Sequence, residues 1–369
     1  MDKKIFAAVA TLVGTIIGAG FLGIPYVVSK TGIFIGLIYL IGVGLVFLLL
    51  KLVYGEIVLR TKGIHQISGY AKKYLGKFGE GLAFFSILFS VYSALIAYMI
   101  GEGESFSFLF FGHTQYTLWF GIAFWAFLSF LMHRGIKELK KGESWGLIFT
   151  LSLLIIITAL FVWKVDVSNF NYSNPGLWFL PFGVVLFAYL GFSAMPEVER
   201  ILKNEEKKMK KTIIIGSLLP IIFYTVFTLI IVGVNGLNTP QVATLSLGKI
   251  FIFLGIITMF TSFLALGFAL EDMFRFDCNM KKRKAWAFTT IIPLFLFIFI
   301  QLLDLMSFTK VLGIGGSIAG SLMGILILFM YLEAKKRGNR QPEYEIKLPR
   351  LIIMFLILLF FLSVASLFL

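Results

Sequence analysis

Residues Gly14-Thr15-Ile16-Ile17-Gly18-Ala19-Gly20, with Pro25 five residues further on, interrupt an apolar run that extends from Ile5 to Val28. A run of that length crosses a bilayer as one helix. Yet each glycine in a helix interior costs about 1 kcal/mol relative to alanine, and three stand here within seven residues. Backbone freed from a helix at membrane depth persists only where it lines a cavity or is covered by protein. The stretch therefore predicts a first membrane helix broken at its centre, with a polar site made of backbone. Secondary transporters build substrate and ion sites in this way.

The composition fits such a site. Of 369 residues, 59% are hydrophobic and 14% charged, and the mean hydropathy is +0.94. That excludes a soluble domain and predicts an all-α integral membrane protein. Eleven apolar runs are long enough to span, at about 5–28, 33–59, 81–110, 117–133, 145–163, 177–200, 212–234, 247–274, 286–304, 311–332 and 349–368. No polar block is large enough for a separate soluble domain, so 1–369 reads as one transporter domain. Met-Asp-Lys-Lys ahead of the first run imitates a signal peptide, but no cleavage site of small residues ends the run, which reads as a retained helix.

The net charge of +14 follows from topology and needs no nucleic acid. With the N-terminus inside, the expected inner segments carry 28 Lys and Arg and the outer ones only Lys30, Lys164, Lys249 and Lys310. Lys51 lies near the inner end of the second run. The expected placement is a multi-pass protein of the cell membrane, N-terminus cytoplasmic and C-terminus outside. Tyr116, Trp119, Tyr172 and Trp178 flank the outer interfaces as belt anchors. Cys278 is the one cysteine, so no disulfide framework exists within the chain.

The sixth run repeats the oddity of the first. Phe187-Ala188-Tyr189-Leu190-Gly191-Phe192-Ser193-Ala194-Met195-Pro196 also sets a glycine at mid-membrane with a proline following. The breaks lie five helices apart, and an odd number of helices per half inverts the second half. Two interrupted helices at matching places of inverted halves point to a transporter site. Repeat one then covers about 5–163, repeat two about 177–332, and 349–368 is an extra helix.

A broken helix offers two kinds of end. Amides near Gly18, Ala19 and Gly20 begin the outer half of the first helix and suit a carboxylate. Carbonyls near Thr15 and Ile16, and near Phe187 and Ala188 ahead of Gly191, suit an ammonium. A zwitterionic amino acid fits that arrangement. No Asp, Glu, Lys or Arg stands near the midplane around either break, which favours a neutral one. Tyr92, Ser93 and Phe263 are further candidate liners.

Gly14–Pro25 followed by Lys30-Thr31-Gly32 resembles the opening of the amino acid/auxin permease family and the related hydroxy and aromatic amino acid permeases. Phe187–Phe192 resembles the sixth helix of the wider amino acid–polyamine–cation superfamily. The resemblance implies the LeuT-type fold: a 5+5 inverted repeat plus one helix, helices one and six discontinuous, working by alternating access. In sodium-coupled members of that fold an adjacent hydroxyl pair on the eighth helix binds sodium. Carried over, the hydroxyls are Thr261 and Ser262, and the carbonyls Thr258, Gly14 and Ile17. Other relatives place a lysine in the fifth helix at the sodium position. The run 145–163 has none.

The expected function is sodium-coupled import of a neutral amino acid, with sodium as coupling ion and no cofactor. The alternatives are proton coupling and a ligand sensor of the same fold that binds without flux. No clustered His, Asp or Cys set supports an enzyme. Glu56, Glu197, Glu199, Glu271 and Asp272 lie close to basic residues and read as inner-gate ion pairs. Glu102 and Glu104 are expected to be solvated at the outer end of the third helix, and the three histidines lie at helix ends or in loops. Oligomeric state is not encoded in any of these features.

Overall fold

The computed structural model describes the backbone of residues 2–63, 65–135 and 143–368, and the side chains of all of these but 143–151. Lys137, Lys140 and Lys141, counted among the inner basic residues, lie outside the described residues. Fourteen α-helices follow one another among them. They are α1 Lys3–Ile16, α2 Ile24–Thr31, α3 Ile33–Leu59, α4 Ile67–Phe111, α5 Thr117–Arg134, α6 Glu143–Phe161 and α7 Leu180–Ala188. Then come α8 Met195–Ile201, α9 Met209–Asn235, α10 Lys249–Phe276, α11 Lys282–Leu302, α12 Phe308–Gly315, α13 Ser321–Arg337 and α14 Arg350–Ala365. One isolated antiparallel bridge, between Gly32 and Ser173, is the β-type pairing among the described residues.

Among the described residues, seven stretches are long and apolar enough to cross a membrane: α3, α4, Leu180–Ile201, Glu206–Asn238, α10, α11 and Phe308–Arg337. An eighth is α1 together with Ala19–Thr31, bent by 47° at its break. The protein is therefore a multi-pass, all-helical membrane protein. Helices α5, α6 and α14 occupy the other three apolar runs.

The packing places the two breaks side by side. Gly44 and Gly55 of α3 meet Ile221 and Ile213 of α9, so these helices run antiparallel. Likewise Phe84 of α4 stacks near Phe274 of α10, and Gly101 meets Met259, which makes α4 and α10 antiparallel too. Helix α1 packs on α8 and α9, and α2 on α7 and α9. Three glycines spaced by four in the tenth run let helices approach closely: Gly316 lies against the Gly183 carbonyl, Gly320 against Leu186 and Gly324 against the Phe360 ring. A π-helical turn over Gly316–Gly320 separates α12 from α13.

The opening of α4, from Ile67, turns at Gly76 (φ 72°, ψ −162°), with Tyr70 and Tyr74 buried. Near the opposite membrane face, two segments close over the end of the first span: after α6, Asn174 N–H donates to the Thr31 carbonyl at 2.9 Å, and after α9, the Leu237 carbonyl accepts from Lys30 Nζ at 2.6 Å. Tyr116, Trp119, Tyr172 and Trp178 are all exposed, as belt residues must be.

Candidate functional site

Helix α1 stops at Ile16. Ile17 (φ −82°, ψ 77°) and Gly18 (φ −93°, ψ −166°) leave helical geometry, and a 3₁₀ turn over Ala19–Gly23 leads into α2. The second break follows Ala188. Gly191 has φ +121°, a region that disfavours residues with a Cβ, and a short 3₁₀ turn then leads into α8. A Cβ at Gly20 would lie 2.9 Å from Phe187 Cδ1, and one at Gly191 would lie 2.7 Å from Ile16 Cγ1. Each break is thus glycine-lined where the other presses on it.

Tyr224 of α9 joins them. Its hydroxyl lies 3.1 Å from the Ile16 carbonyl and 2.9 Å from the Ala188 carbonyl. With one proton to donate, it shares a single bond between the last turns of α1 and α7. On the other side of the first break, the Tyr98 hydroxyl of α4 is in hydrogen-bond contact with the Ala19 backbone and the Ser262 side chain. Two tyrosines from neighbouring helices therefore bracket the unwound backbone.

A third partner is an amine donor. Lys51 of α3 is 1% exposed, and its Nζ donates to the Tyr189 carbonyl at 2.8 Å. The rings of Phe47 and Phe192 lie 5.4 and 5.5 Å from Nζ. The amine thus satisfies a carbonyl left open at the end of α7. Placing Lys51 at the inner end of the second helix missed this. Eight residues of helix lie beyond it, enough to set it at the depth of the break.

The expected substrate residues assemble in part. Ile16, Gly18, Ala19, Gly20, Phe187, Ala188 and Gly191 all line the junction of the two breaks. Thr15 does not: it is exposed, and its hydroxyl donates to the Thr11 carbonyl of its own helix at 2.8 Å. Of the expected cation ligands, Ser262 lies by the break, 3.8 Å from a Cβ built on Gly18, and Ile17 is buried at it. Thr261, one residue on, turns about 100° away. It is exposed, and its Oγ1 bonds to the Ile257 and Thr258 carbonyls at 3.0 and 3.1 Å. The Thr258 hydroxyl bonds to the Leu254 carbonyl, and Gly14 is exposed on α1. Of the other liners, Ser93 reaches Gly315 beside Phe187, whereas Tyr92 bonds to α11 and Phe263 packs on Phe124.

Expected solvation of Glu102 is overturned. The residue is 0% exposed, and neither carboxyl oxygen has a hydrogen-bond partner among the described residues. The reason is axial depth: α4 continues to Phe111, nine residues further, or about 13 Å at 1.5 Å per residue.

On the lysine-rich face the acidic residues do form ion pairs. Glu56, fully buried, receives Arg60 at 2.8 Å, Lys335 at 3.3 Å and the Ile346 N–H at 2.6 Å. The Tyr344 hydroxyl donates to the Leu52 carbonyl, and the Arg60 carbonyl accepts from the Asn339 and Arg340 amides. The chain between α13 and α14 is thereby laced across the end of α3. Glu199 pairs with Arg340 at 3.4 Å rather than with its neighbour Arg200, which bonds to Glu197. Asp272 pairs with Arg275 at 3.7 Å. Cys278 is a free, exposed thiol.

The sequence is similar to those of named transporters. The chain is 26% identical over 318 residues to glutamine transporter 2 of Aliivibrio fischeri, covering 80% of this chain and 81% of the relative. It is 22% identical over 245 residues to the tyrosine-specific transport system 1 of Haemophilus influenzae, covering 65% and 59%. To the tryptophan-specific transport protein of Shigella flexneri it is 25% identical over 250 residues, again 65% and 59%. These are permeases, not enzymes. Residues 1–245, which hold both breaks and all of α9, match the family model itself, and the chain belongs to the tryptophan/tyrosine permease family.

Proposed function

We propose that this protein is a secondary active transporter that imports a neutral amino acid by alternating access, binding it where the two broken helices meet. One observation carries the reading: backbone from both breaks converges within a membrane bundle, Gly20 against Phe187, Gly191 against Ile16, and the Ile16 and Ala188 carbonyls on one tyrosine hydroxyl. Half-helix ends meeting there suit a carboxylate and an ammonium on one carbon. The relatives are named for glutamine, tyrosine and tryptophan, all neutral amino acids, which supports the substrate class.

The antiparallel pairing of α3 with α9 and of α4 with α10 supports a LeuT-type inverted repeat, with repeats over about 5–163 and 177–332 and α14 as the added helix. Eleven spans, with the N-terminus at the cytoplasmic face and the C-terminus outside, follow from that reading and from the lysine bias.

A cation gradient drives uptake in this scheme. A sodium seat made of the Gly14, Ile17 and Thr258 carbonyls with Thr261 and Ser262 requires Thr261 to turn its hydroxyl out of its own helix. Thr261 makes no such turn here, and buried, unpartnered Glu102 supports a proton as the coupling ion instead. Purified protein in liposomes, offered each of the twenty amino acids, tests the function. Net accumulation of a neutral amino acid is expected. Binding without flux would identify a sensor instead, and accumulation in sodium-free buffer would remove the sodium seat.

A further inference from the structure

We propose that Glu102 is a proton-binding site of the transport cycle, holding a proton in the packed conformation described above and releasing it when the helices around it separate. The proposal rests on the transport reading. A carboxylate taken out of water without a partner costs several kcal/mol, and the group avoids this by staying neutral. Both Glu102 oxygens lack a hydrogen-bond partner among the described residues, and the side chain is fully buried. It is therefore a carboxylic acid here.

The position ties that proton to the substrate site. Glu102 lies one helical turn from Tyr98, on the same face of α4. Tyr98 touches the Ala19 backbone at the first break and Ser262 of α10. Because α10 runs antiparallel to α4, Thr258 comes level with Glu102 as Ser262 is with Tyr98. Any movement of the first break that displaces Tyr98 or α10 changes what surrounds the carboxyl. Intramembrane acids of this kind serve proton pathways.

Charges on the packed helices stand at their ends. On α10 they are Lys249 and the group Glu271–Arg275; on α5, His133 and Arg134; on α11, Lys282–Lys284; on α13, Glu333–Arg337. Lys310 of α12 is the nearest in sequence to a contact with this region, since Phe308 touches Gly101. Its ammonium is turned to the Leu305 carbonyl in an exposed position. Glu104 lies about 200° around α4, on the other side. Each turnover then moves one proton with one substrate: the carboxyl O–H breaks, the proton passes to water at the receiving face, and the carboxylate is reprotonated from the face of supply.

Two measurements on purified protein in liposomes test this. The first is the infrared band of protonated carboxyls at neutral pH, compared between wild type and Glu102→Gln. Loss of one band in the variant is expected; an unchanged spectrum overturns the proposal whether or not the protein transports. The second is accumulation of a labelled mixture of the twenty amino acids in sodium-free buffer, acidic outside. With one proton per substrate, one pH unit sustains about tenfold accumulation. Glu102→Gln should lose accumulation and keep exchange of internal for external label, while Glu104→Gln retains both. Undiminished accumulation by Glu102→Gln overturns the proposal, as does competition by lysine or arginine that this variant alone abolishes, since Glu102 would then bind a basic substrate. If Glu102→Gln is not recovered folded, Glu102→Asp decides: a shifted pH dependence supports the site, and an unshifted one refutes it.

Discussion

The two helix breaks differ in what holds them open. The first is opened by glycine and bracketed by neutral hydroxyls from Tyr98 and Tyr224. The second has the buried Lys51 amine on its Tyr189 carbonyl and a glycine at φ +121° that other residues cannot readily replace. Hydroxyl contacts alone leave the first side free to rearrange around a ligand. A lysine wedged between the Phe47 and Phe192 rings has little room to move and fixes its partner. The first break is thus the pliable half of the site and the second its anchor.

Backbone substitutions strike this contrast hardest. Gly191→Val introduces a Cβ 2.7 Å from Ile16 Cγ1 at a strained φ, and Gly20→Val sets one 2.9 Å from the Phe187 ring. Both should abolish uptake. Gly191→Val should also lower the thermal midpoint in detergent, whereas Gly20→Val should leave the protein at normal levels in the membrane. Equal destabilisation by the two would erase the distinction between anchor and pliable half.

Removing the anchor's amine comes next. Lys51→Met leaves the Tyr189 carbonyl without its donor, a loss of about 1–3 kcal/mol. Uptake should fall about tenfold or more, with a lowered thermal midpoint. Wild-type uptake in that variant would mean the second break needs no amine donor.

Tyr224→Phe should act more mildly, by about 1 kcal/mol and several-fold in uptake, because one shared hydrogen bond is lost. The smallest effect is expected at Thr261→Val. Its hydroxyl serves only its own helix, so uptake should stay within about twofold, a loss below 1 kcal/mol. A raised sodium requirement in this variant would restore Thr261 to the cation seat.

Both breaks were legible in the chain because each is a local anomaly: glycines and a proline inside an otherwise spanning apolar run. Their meeting in space was inferred from spacing alone, and the contacts of Gly20 with Phe187 and Gly191 with Ile16 agree. Lys51, Tyr98 and Tyr224 were not legible as site residues. Each sits in an ordinary apolar helix, and only the packing of α3, α4 and α9 brings its polar tip to a broken backbone. Adjacent Thr261 and Ser262 looked equivalent as letters, yet a turn of about 100° sends one to the break and the other away. Glu102 was misread as lying near the outer end of the run 81–110, although the residues still beyond it set it at a depth where α4 is packed inside the bundle.

The lacing of residues 339–346 onto the end of α3 has a consequence for biosynthesis. Glu56 leaves the ribosome with Arg60 as its neighbour, but Lys335 and the Ile346 amide arrive almost three hundred residues later. Until then a buried acid waits half-compensated at a helix end, and α13 has nothing to clasp. The bundle therefore reaches its final stability only after nearly all of the chain has been made. A ribosome that stalls before α13 would leave a nascent protein with most of its spans and an open charged seam at the end of α3.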